Sequence, residues 1–315
     1  MKTFKHIDAN SITEAATALS GGKASAIAGG TDLLCVLKDE ILSKYPETIV
    51  NLKTIPGLAY IKEDGGILKI GGLTTLSKIA EDTIVLSKYP ALAEAAVKVA
   101  APQIRTVGTI GGNLCQESRC WFYRASKNYF YCLRKGGTLC FAVIGDNRFN
   151  GIIGGGGCFS VCPSDTAIAL SALNATVVTN KRKMPIAELY QALRTTLAVD
   201  EIITEIQVPE PKAGTKQAFL KFSTRKTIDF AIVSVATAVT VSSGNVTDAR
   251  IVLGGIATVP YRATDAENEL KGKAISETTA TAAGTAAVKT ATITLSGNVY
   301  KKAIASALVK RALLQ

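Results

Sequence analysis

The sequence has only one histidine, His6, and few aromatic residues. A single imidazole excludes a metal site built on several histidines, and no nucleophile is paired with a histidine. Aromatic residues make up 6% of the chain, which leaves no stacking platform for nucleic acid, and the lysines and arginines behind the formal charge of +11 are spread along the whole chain. We therefore expect no nucleic-acid binding, and a basic surface that suits an acidic protein partner.

Long apolar runs are also missing. Nowhere do about 18 apolar residues follow one another, and the segment MKTFKHIDAN lacks the apolar core of a signal peptide. We therefore expect no membrane span and a cytoplasmic location. In that reducing compartment the seven cysteines are not expected to form structural disulfides.

The G-x-G-x-x-G signature of a Rossmann dinucleotide site is absent, but two other glycine loops are present. Gly29-Gly30 follows a predicted strand at Ser25–Ala28 and precedes a predicted helix. The second loop runs from Val107 to Asn113. Such loops let backbone N–H groups approach an anion, and a helix N-terminus adds a favourable dipole. Each loop alone could be a simple turn, but the pair predicts a site for the two phosphates of a dinucleotide.

Cysteine is concentrated in one segment, because six of the seven lie between Ala101 and Asp165. Their spacing matches neither the compact ferredoxin run nor a C-x-x-C zinc knuckle. Aromatic and cationic residues surround them and would shelter and neutralise anionic thiolates that bind iron. These neighbours are Trp121–Tyr123, Tyr129–Tyr131, Phe141, Arg119, Arg124, Arg134 and Lys135. The segment indicates a metal or redox site, although free cysteine is also a small core residue, as we expect for Cys35.

Outside this segment, predicted helices and strands alternate as far as a strand at Ile202–Val208. A helix is predicted at Ile186–Leu193, since proline is favoured at a helix start and Pro185 precedes it. Pro209–Gly214 is typical of a linker. Antiparallel strands and then helices are predicted after it. The length of 315 residues and the hydrophobic content of 47% suit two or three domains.

Several motifs resemble the FAD-binding medium subunit of the molybdenum hydroxylases, the xanthine dehydrogenase and carbon monoxide dehydrogenase family. The motifs are Ala28–Leu34 (AGGTDLL), Thr106–Leu114 (TVGTIGGNL), Pro163–Asp165 (PSD), Glu201–Ile206 (EIITEI), Lys221–Arg225 (KFSTR) and Asp229–Val235 (DFAIVSV). They occur in the family's order and span nearly the whole chain. The resemblance implies an α+β fold. A PCMH-type FAD-binding α/β domain at 1–210, with subdomains at about 1–55 and 56–210, would precede an α+β C-terminal domain at 211–315 with an antiparallel sheet and helices.

The resemblance also implies which residues bind FAD. The first loop would wrap the pyrophosphate through backbone N–H groups, and the second loop, Asp165, Ile203 and Lys221 would complete the site. The implied loop residues are Ile27, Ala28, Gly29, Gly30, Thr31, Asp32, Leu33, Thr109, Ile110, Gly111, Gly112 and Asn113. Other interpretations stay open for the last three: Asp165 could be a helix N-cap, Ile203 a core strand residue and Lys221 a solvated charge.

Between the second glycine loop and Pro163, most family members have about ten residues. Here an insertion at about 116–162 contains the cysteines, and it is similar to that of the medium (β) subunit of 4-hydroxybenzoyl-CoA reductase, which carries an extra [4Fe-4S] cluster. The ligands implied by that resemblance are Cys120, Cys132, Cys140 and Cys158. Cys162 is an alternative to Cys158, and Cys115 is not expected to be a ligand.

The implied function is that of an oxidoreductase subunit that transfers electrons between FAD, the [4Fe-4S] cluster and the [2Fe-2S] centres of a small partner subunit. A large molybdopterin subunit would complete a heterotrimer, with NAD or a ferredoxin as external partner. No catalytic residues for substrate turnover are expected in this chain. Two other classes stay open: a self-sufficient flavin oxidoreductase of related fold, and a binding module with a structural zinc in the cysteine segment.

Overall fold

A parallel three-stranded sheet opens the chain. The computed structural model describes residues 1–154, 156–291 and 295–315, so that Gly155 of the insertion and residues 292–294 lie outside the described part. The strands of this sheet are ordered β1-β3-β2. Its elements are β1 (Lys5–Asp8), α1 (Ile12–Leu19), β2 (Ala24–Ile27), α2 (Leu33–Lys38) and β3 (Thr48–Asn51). The first glycine loop therefore connects β2 to α2, as the sequence predicts.

An antiparallel five-stranded sheet follows. Its strand order is β4-β5-β10-β6-β7, and its apolar side packs on α3, α5 and α9 around fully buried residues such as Ile70, Leu92 and Leu170. The strands are β4 (Ile61–Asp64), β5 (Ile67–Gly71), β6 (Thr176–Thr179), β7 (Lys183–Pro185) and β10 (Ile203–Pro209), and a separate hairpin contains β8 (Tyr190–Gln191) and β9 (Arg194–Thr195). The helices are α3 (Leu76–Glu81), α4 (Thr83–Lys88), α5 (Pro90–Val97), α6 (Pro102–Arg105), α7 (Ile110–Leu114), α8 (Trp121–Arg124) and α9 (Asp165–Ala172).

An antiparallel four-stranded sheet and three helices end the chain. Long strands with buried β-branched residues, such as Val235 and Ile251, form one side of this second core, and the last helix covers them. The elements are β11 (Thr215–Phe222), β12 (Val233–Ser242), β13 (Asn245–Gly254), β14 (Tyr261–Arg262), α10 (Thr264–Leu270), α11 (Glu277–Ala286) and α12 (Lys301–Leu313). Helix α9 packs on both β12 and β13, which joins the two cores.

The helix predicted at Ile186–Leu193 is wrong. Residues Ile186–Leu189 form a short 3-10 turn, and the chain then enters the β8–β9 hairpin. The Tyr190 hydroxyl donates to the Leu114 carbonyl at 3.0 Å, which draws Tyr190 out of a helical path. A long-range contact therefore overrides the local preference.

Residues 116–162, predicted to be an insertion and called by that name below, are mostly irregular. Besides α8 the insertion contains only 3-10 turns at Ser126–Asn128, Leu133–Lys135 and Phe141–Val143 among its described residues. Its two ends lie close together, since the side-chain amide of Gln116 donates to Asn113 O at 3.0 Å and to Pro163 O at 3.5 Å. The insertion therefore leaves the fold and returns to it at nearly the same point.

Candidate functional site

The two predicted glycine loops meet backbone to backbone. A β-carbon on Gly29 would lie 2.2 Å from the Val107 carbonyl oxygen, which leaves room for glycine alone. Gly30 has a φ of +70°, in the left-handed region that glycine adopts without strain. The contact places the β2–α2 loop directly beside the loop that precedes α7.

These loops line one large cavity of about 580 Å³, a volume typical of cofactor sites. Ten of the predicted loop residues line it: Ile27, Ala28, Gly29, Gly30, Thr31, Asp32, Leu33, Thr109, Gly112 and Asn113. The other two, Ile110 and Gly111, are buried behind it, with the Gly111 amide bonded to Gly72 O at 2.9 Å. Most residues of the two predicted loops therefore line the same cavity.

Hydroxyl groups from the PSD motif region orient Asn113. Ser164 Oγ and Thr166 Oγ1 donate to Asn113 Oδ1 at 2.6 and 2.7 Å. Because the side-chain oxygen is occupied by these two donors, the amide nitrogen is the donor that Asn113 can offer to a ligand in the cavity.

Asp165 and Lys221 form an ion pair at 2.7 Å, and Lys221 Nζ also donates to Lys98 O at 2.9 Å. Both side chains are buried, and burial raises the pKa of Asp165, an effect that Lys221 opposes. The interpretation of Asp165 as a helix N-cap is wrong, because Ser164 caps α9 by accepting from the Ala167 amide. The interpretation of Lys221 as a solvated charge is also wrong.

Neither member of this pair lines the cavity, and neither does Ile203. Ile203 is a buried residue at the start of β10 in the first core, the position that a core strand residue would take. Its carbonyl oxygen lies 2.3 Å from where a β-carbon on Gly72 would be, so backbone packing dominates its surroundings.

Arginine side chains that the sequence placed around the cysteines instead bind the first glycine loop. Arg119 and Arg124 contact Asp32 Oδ1 at 2.9 and 2.7 Å, and the Glu117 amide donates to Asp32 Oδ2 at 2.7 Å. The Arg119 guanidinium also lies 4.5 Å from the centre of the Phe230 ring. Asp32 is an acidic residue in a loop predicted to bind an anion. That combination could have indicated that Asp32 needs cationic partners.

Further walls of the cavity come from residues that were not predicted to bind the cofactor, although Phe230 lies in the Asp229–Val235 motif. They include Thr195, Val199, Ile228 and Phe230, together with Gln116 and Glu117 at the start of the insertion. Ile228 and Phe230 follow β11, so that the last third of the chain closes part of the cavity.

The four cysteines predicted as ligands line a second, small cavity. Cys120, Cys132, Cys140 and Cys158 face it, together with aromatic rings of Phe122, Tyr123 and Phe141. A hydrogen bond from Cys140, and then the Ser160 hydroxyl and amide, lower the pKa of Cys158. In the described residues, however, no three His, Cys, Asp or Glu side chains converge closely enough to hold a single metal ion.

Positive charge lies beside these thiols. Lys135 is buried, and within the described part of the chain its Nζ has no hydrogen-bond partner. Burial lowers the pKa of Lys135, and the nearby Cys132 and Cys120 oppose that shift. Lys135 Nζ and the Arg134 guanidinium lie 5.4 and 5.7 Å from the centre of the Tyr123 ring. The four thiols are the donor set that iron–sulfur clusters use, but the cavity they line has a volume of only about 10 Å³.

The other three cysteines lie elsewhere. Cys162 is buried in the first core and does not line the small cavity. Cys115 lines the large cavity. Cys35 is exposed, so the expectation that it is a core residue is wrong.

A third cavity of about 430 Å³ lies between the other two. It shares Arg119 and Phe230 with the large cavity, and Cys120 and Ser160 with the cysteine cavity. The glycine loops and the cysteines are therefore neighbours in space across a short stretch of side chains.

Two family models cover nearly the whole chain. Residues 2–211 match the FAD binding domain in molybdopterin dehydrogenase, and residues 218–315 match the CO dehydrogenase flavoprotein C-terminal domain. The chain belongs to this family of FAD-binding medium subunits of molybdenum hydroxylases. The match supports FAD as the cofactor and confirms the predicted family and α+β fold.

Individual relatives cover most of the chain. The FAD-binding subunit PaoB of an aldehyde oxidoreductase from Escherichia coli (strain K12) is 33% identical over 287 residues, 86% of each protein. The carbon monoxide dehydrogenase medium chain of Hydrogenophaga pseudoflava is 29% identical over 98% of this chain and 96% of its own length. A solved structure of carbon monoxide dehydrogenase from the same organism, lacking the Mo-pyranopterin moiety, superimposes with a TM-score of 0.79 at 28% identity over 99% of this chain and 96% of its own.

No helix among the described residues is long and apolar enough to cross a membrane.

Proposed function

We propose that this chain is the electron-transfer flavoprotein subunit of a heteromeric molybdenum hydroxylase and that it carries a [4Fe-4S] cluster in addition to FAD. The FAD-binding domain would be residues 1–210 and the C-terminal domain residues 211–315. One observation carries the proposal: the cavity of the two glycine loops and the cavity of the four cysteines are separated only by a third cavity that shares side chains with both.

The large cavity supplies what a dinucleotide needs. Backbone amides of the two loops would face the pyrophosphate, because the contact between Gly29 and Val107 keeps side chains out of the junction. Asn113 would donate its amide to the cofactor, and the buried pair Asp165 and Lys221 would hold the wall behind it. FAD, when bound, exchanges electrons in pairs or singly.

The cysteine cavity would hold the cluster through Cys120, Cys132, Cys140 and Cys158, each bound to its own iron. Cys158 is favoured over Cys162 because Cys158 shares the cavity of the other three. Lys135 would offset the negative charge of the cluster, and Phe122, Phe130 and Phe141 would exclude water from it, since their rings pack against one another with centroids 5.0 to 6.4 Å apart.

Partner subunits would complete the path. A small subunit with [2Fe-2S] centres and a large molybdopterin subunit are the proposed partners, with NAD or a ferredoxin-type carrier as the external one. The insertion favours the carrier, because it exposes Lys127 together with Tyr129, Leu139 and Ile144. A cytoplasmic location is part of the same proposal.

Cofactor analysis of the chain purified anaerobically tests the proposal. We expect about four iron atoms with matching acid-labile sulfide and one FAD per chain, and a visible spectrum that bleaches with dithionite. Serine at any of the four proposed ligands should abolish or reduce the iron content, whereas alanine at Cys162 or Cys35 should leave it unchanged. Flavin without iron would refute the cluster and leave the flavoprotein.

The two alternative classes give different results in the same experiment. Zinc without flavin would support a binding module, and turnover of a substrate without partner subunits would support a self-sufficient flavin oxidoreductase. Copurification with one larger and one smaller partner chain would support the heterotrimer.

A further inference from the structure

The segment that precedes helix α12 holds the end of the cysteine insertion by an unbroken series of hydrogen bonds. The carbonyl groups of Arg148, Phe149, Asn150 and Gly151 accept, in that order, from Tyr300 Oη, Lys301 Nζ, Asn298 Nδ2 and again Asn298 Nδ2, at 2.8, 2.7, 3.3 and 2.7 Å. The Gly297 amide donates to Asn147 Oδ1 at 2.8 Å. Residues 297–301 thus bind every residue from 147 to 151, and we call them the clamp.

Two residues of the clamp, Asn298 and Lys301, are fully buried. Lys301 donates a second hydrogen bond to Gly255 O at 2.7 Å. Burying a lysine without an acidic partner is unfavourable unless its hydrogen bonds are satisfied. Both bonds go to backbone carbonyls, one in the insertion and one after β13, so Lys301 ties the insertion to the four-stranded sheet.

The clamped segment ends in direct contact with a proposed cluster ligand. The Asn150 side-chain amide donates to Phe159 O at 3.0 Å and to Cys120 Sγ at 3.8 Å. The backbone of the same residue is fixed by Asn298. Asn298, about 150 positions away in sequence, therefore helps to fix the residue whose side-chain amide donates to Cys120 Sγ.

We propose that Asn298 is a positioning residue for the iron–sulfur site: it places the Asn150 amide on Cys120 Sγ and thereby raises the reduction potential of the cluster. The inference rests on the proposed cluster. Hydrogen bonds to ligand sulfurs tune such potentials, and a donor stabilises the more negatively charged reduced form. The turn before the C-terminal helix then controls the potential of a centre to which it contributes no ligand.

Redox titration of four variants tests this inference, with iron, sulfide and flavin content measured on each. Asn150→Leu removes the donor and should shift the midpoint potential of the cluster to a more negative value. Asn298→Leu should shift it in the same direction at full iron content. The double variant should shift no further than Asn150→Leu alone, because the two residues act in series. Lys302→Met, one position beyond the clamp in helix α12, should leave the potential unchanged.

An Asn298→Leu protein with full iron and the wild-type potential would overturn the inference, and so would fully additive shifts. If the wild-type protein holds no iron, the proposed cluster itself has failed. Amide hydrogen exchange then tests the clamp separately: Asn298→Leu should speed exchange of the amides at 147–151, and unchanged protection there would refute the clamp as well.

Discussion

Lys221 Nζ lies 2.7 Å from Asp165 Oδ2 in a space shielded from solvent, at the junction of helix α9 and strand β11. The pair links the two matched family segments, since Asp165 belongs to one and Lys221 to the other. Lys221→Met should therefore destabilise the chain by about 3 to 5 kcal/mol, the usual cost of leaving a buried charge unpaired. Urea denaturation of the flavin-free chain measures this loss.

Two companion variants show whether the charge is the cause. Lys226→Met removes an exposed lysine five positions along and should have little effect. Asp165→Leu combined with Lys221→Met should recover most of the lost stability, because no charge is then buried. If the double variant is as unstable as Lys221→Met, packing and not charge is responsible.

Gly29→Ala should abolish tight FAD binding. A β-carbon at this position would lie 2.2 Å from Val107 O, so the two glycine loops must separate and their amides can no longer face one pyrophosphate. Flavin content after purification and a fluorescence titration with FAD measure the effect. Gly21→Ala is the matched control, because a β-carbon on Gly21 meets nothing within 4 Å. Wild-type flavin content in Gly29→Ala would remove the first loop from the proposed site.

Because Lys301 is buried, it should make the free energy of unfolding increase with pH above neutrality. Burial lowers its pKa to about 7 from the ordinary 10.5. Below about pH 7 the lysine is protonated in both states, whereas between pH 7 and 10.5 only the unfolded chain keeps the proton. The unfolded state binds more protons in that window, so the free energy of unfolding rises with pH.

To test this expectation, the free energy of unfolding of the wild type is compared with that of Lys301→Met at pH 7, 8 and 9. The wild-type advantage should grow with each step, by at most about 1.4 kcal/mol per pH unit. Effects of other titrating groups cancel in the difference between the two proteins. A difference that stays constant across this range would mean that Lys301 is protonated in the folded chain.

Reduction by a small acidic iron–sulfur carrier should slow as salt is added, if the insertion is the docking face. Association steered by opposite charges is screened within about 8 Å at physiological ionic strength. Stopped-flow reduction of the flavin at increasing salt measures this. Lys127→Glu, at an exposed turn of the insertion, should slow the reaction at low salt and reduce its salt dependence. Reduction by NADH alone at an equal rate would favour the nicotinamide partner instead.

Sequence reasoning predicted the parts of the site that are local in the chain. The glycine pair Gly29-Gly30 lies in a loop as predicted, whereas Gly111-Gly112 lies within helix α7. The crowding of the cysteines into one segment is a property of the sequence itself. The contact of Asp32 with Arg124 was not predictable in this way, because the two residues are 92 positions apart. Arg119 and Arg124 lie beside the cysteines in sequence, which is why they were expected to neutralise the thiols. In the fold they contact the first glycine loop, and Arg134 and Lys135 are the cations that lie beside the thiols.

Contacts between distant segments also explain why the helix predicted at Ile186–Leu193 is wrong and why Phe230 was not predicted to line the cavity. Both depend on partners from distant segments, Leu114 for Tyr190 and Arg119 for Phe230. Local patterns carry no information on such pairs. The side chain of Ile203 lies in the first core and does not line the large cavity. Its role in binding FAD stays a prediction.

The two ends of the insertion lie beside each other at Gln116. A segment that leaves and re-enters at one point can be gained or lost in a single genetic event, without rerouting the sheets on either side. Deleting residues 116–162 would nevertheless remove both arginines that hold the Asp32 carboxylate, so the first glycine loop could not keep its present contacts without this segment.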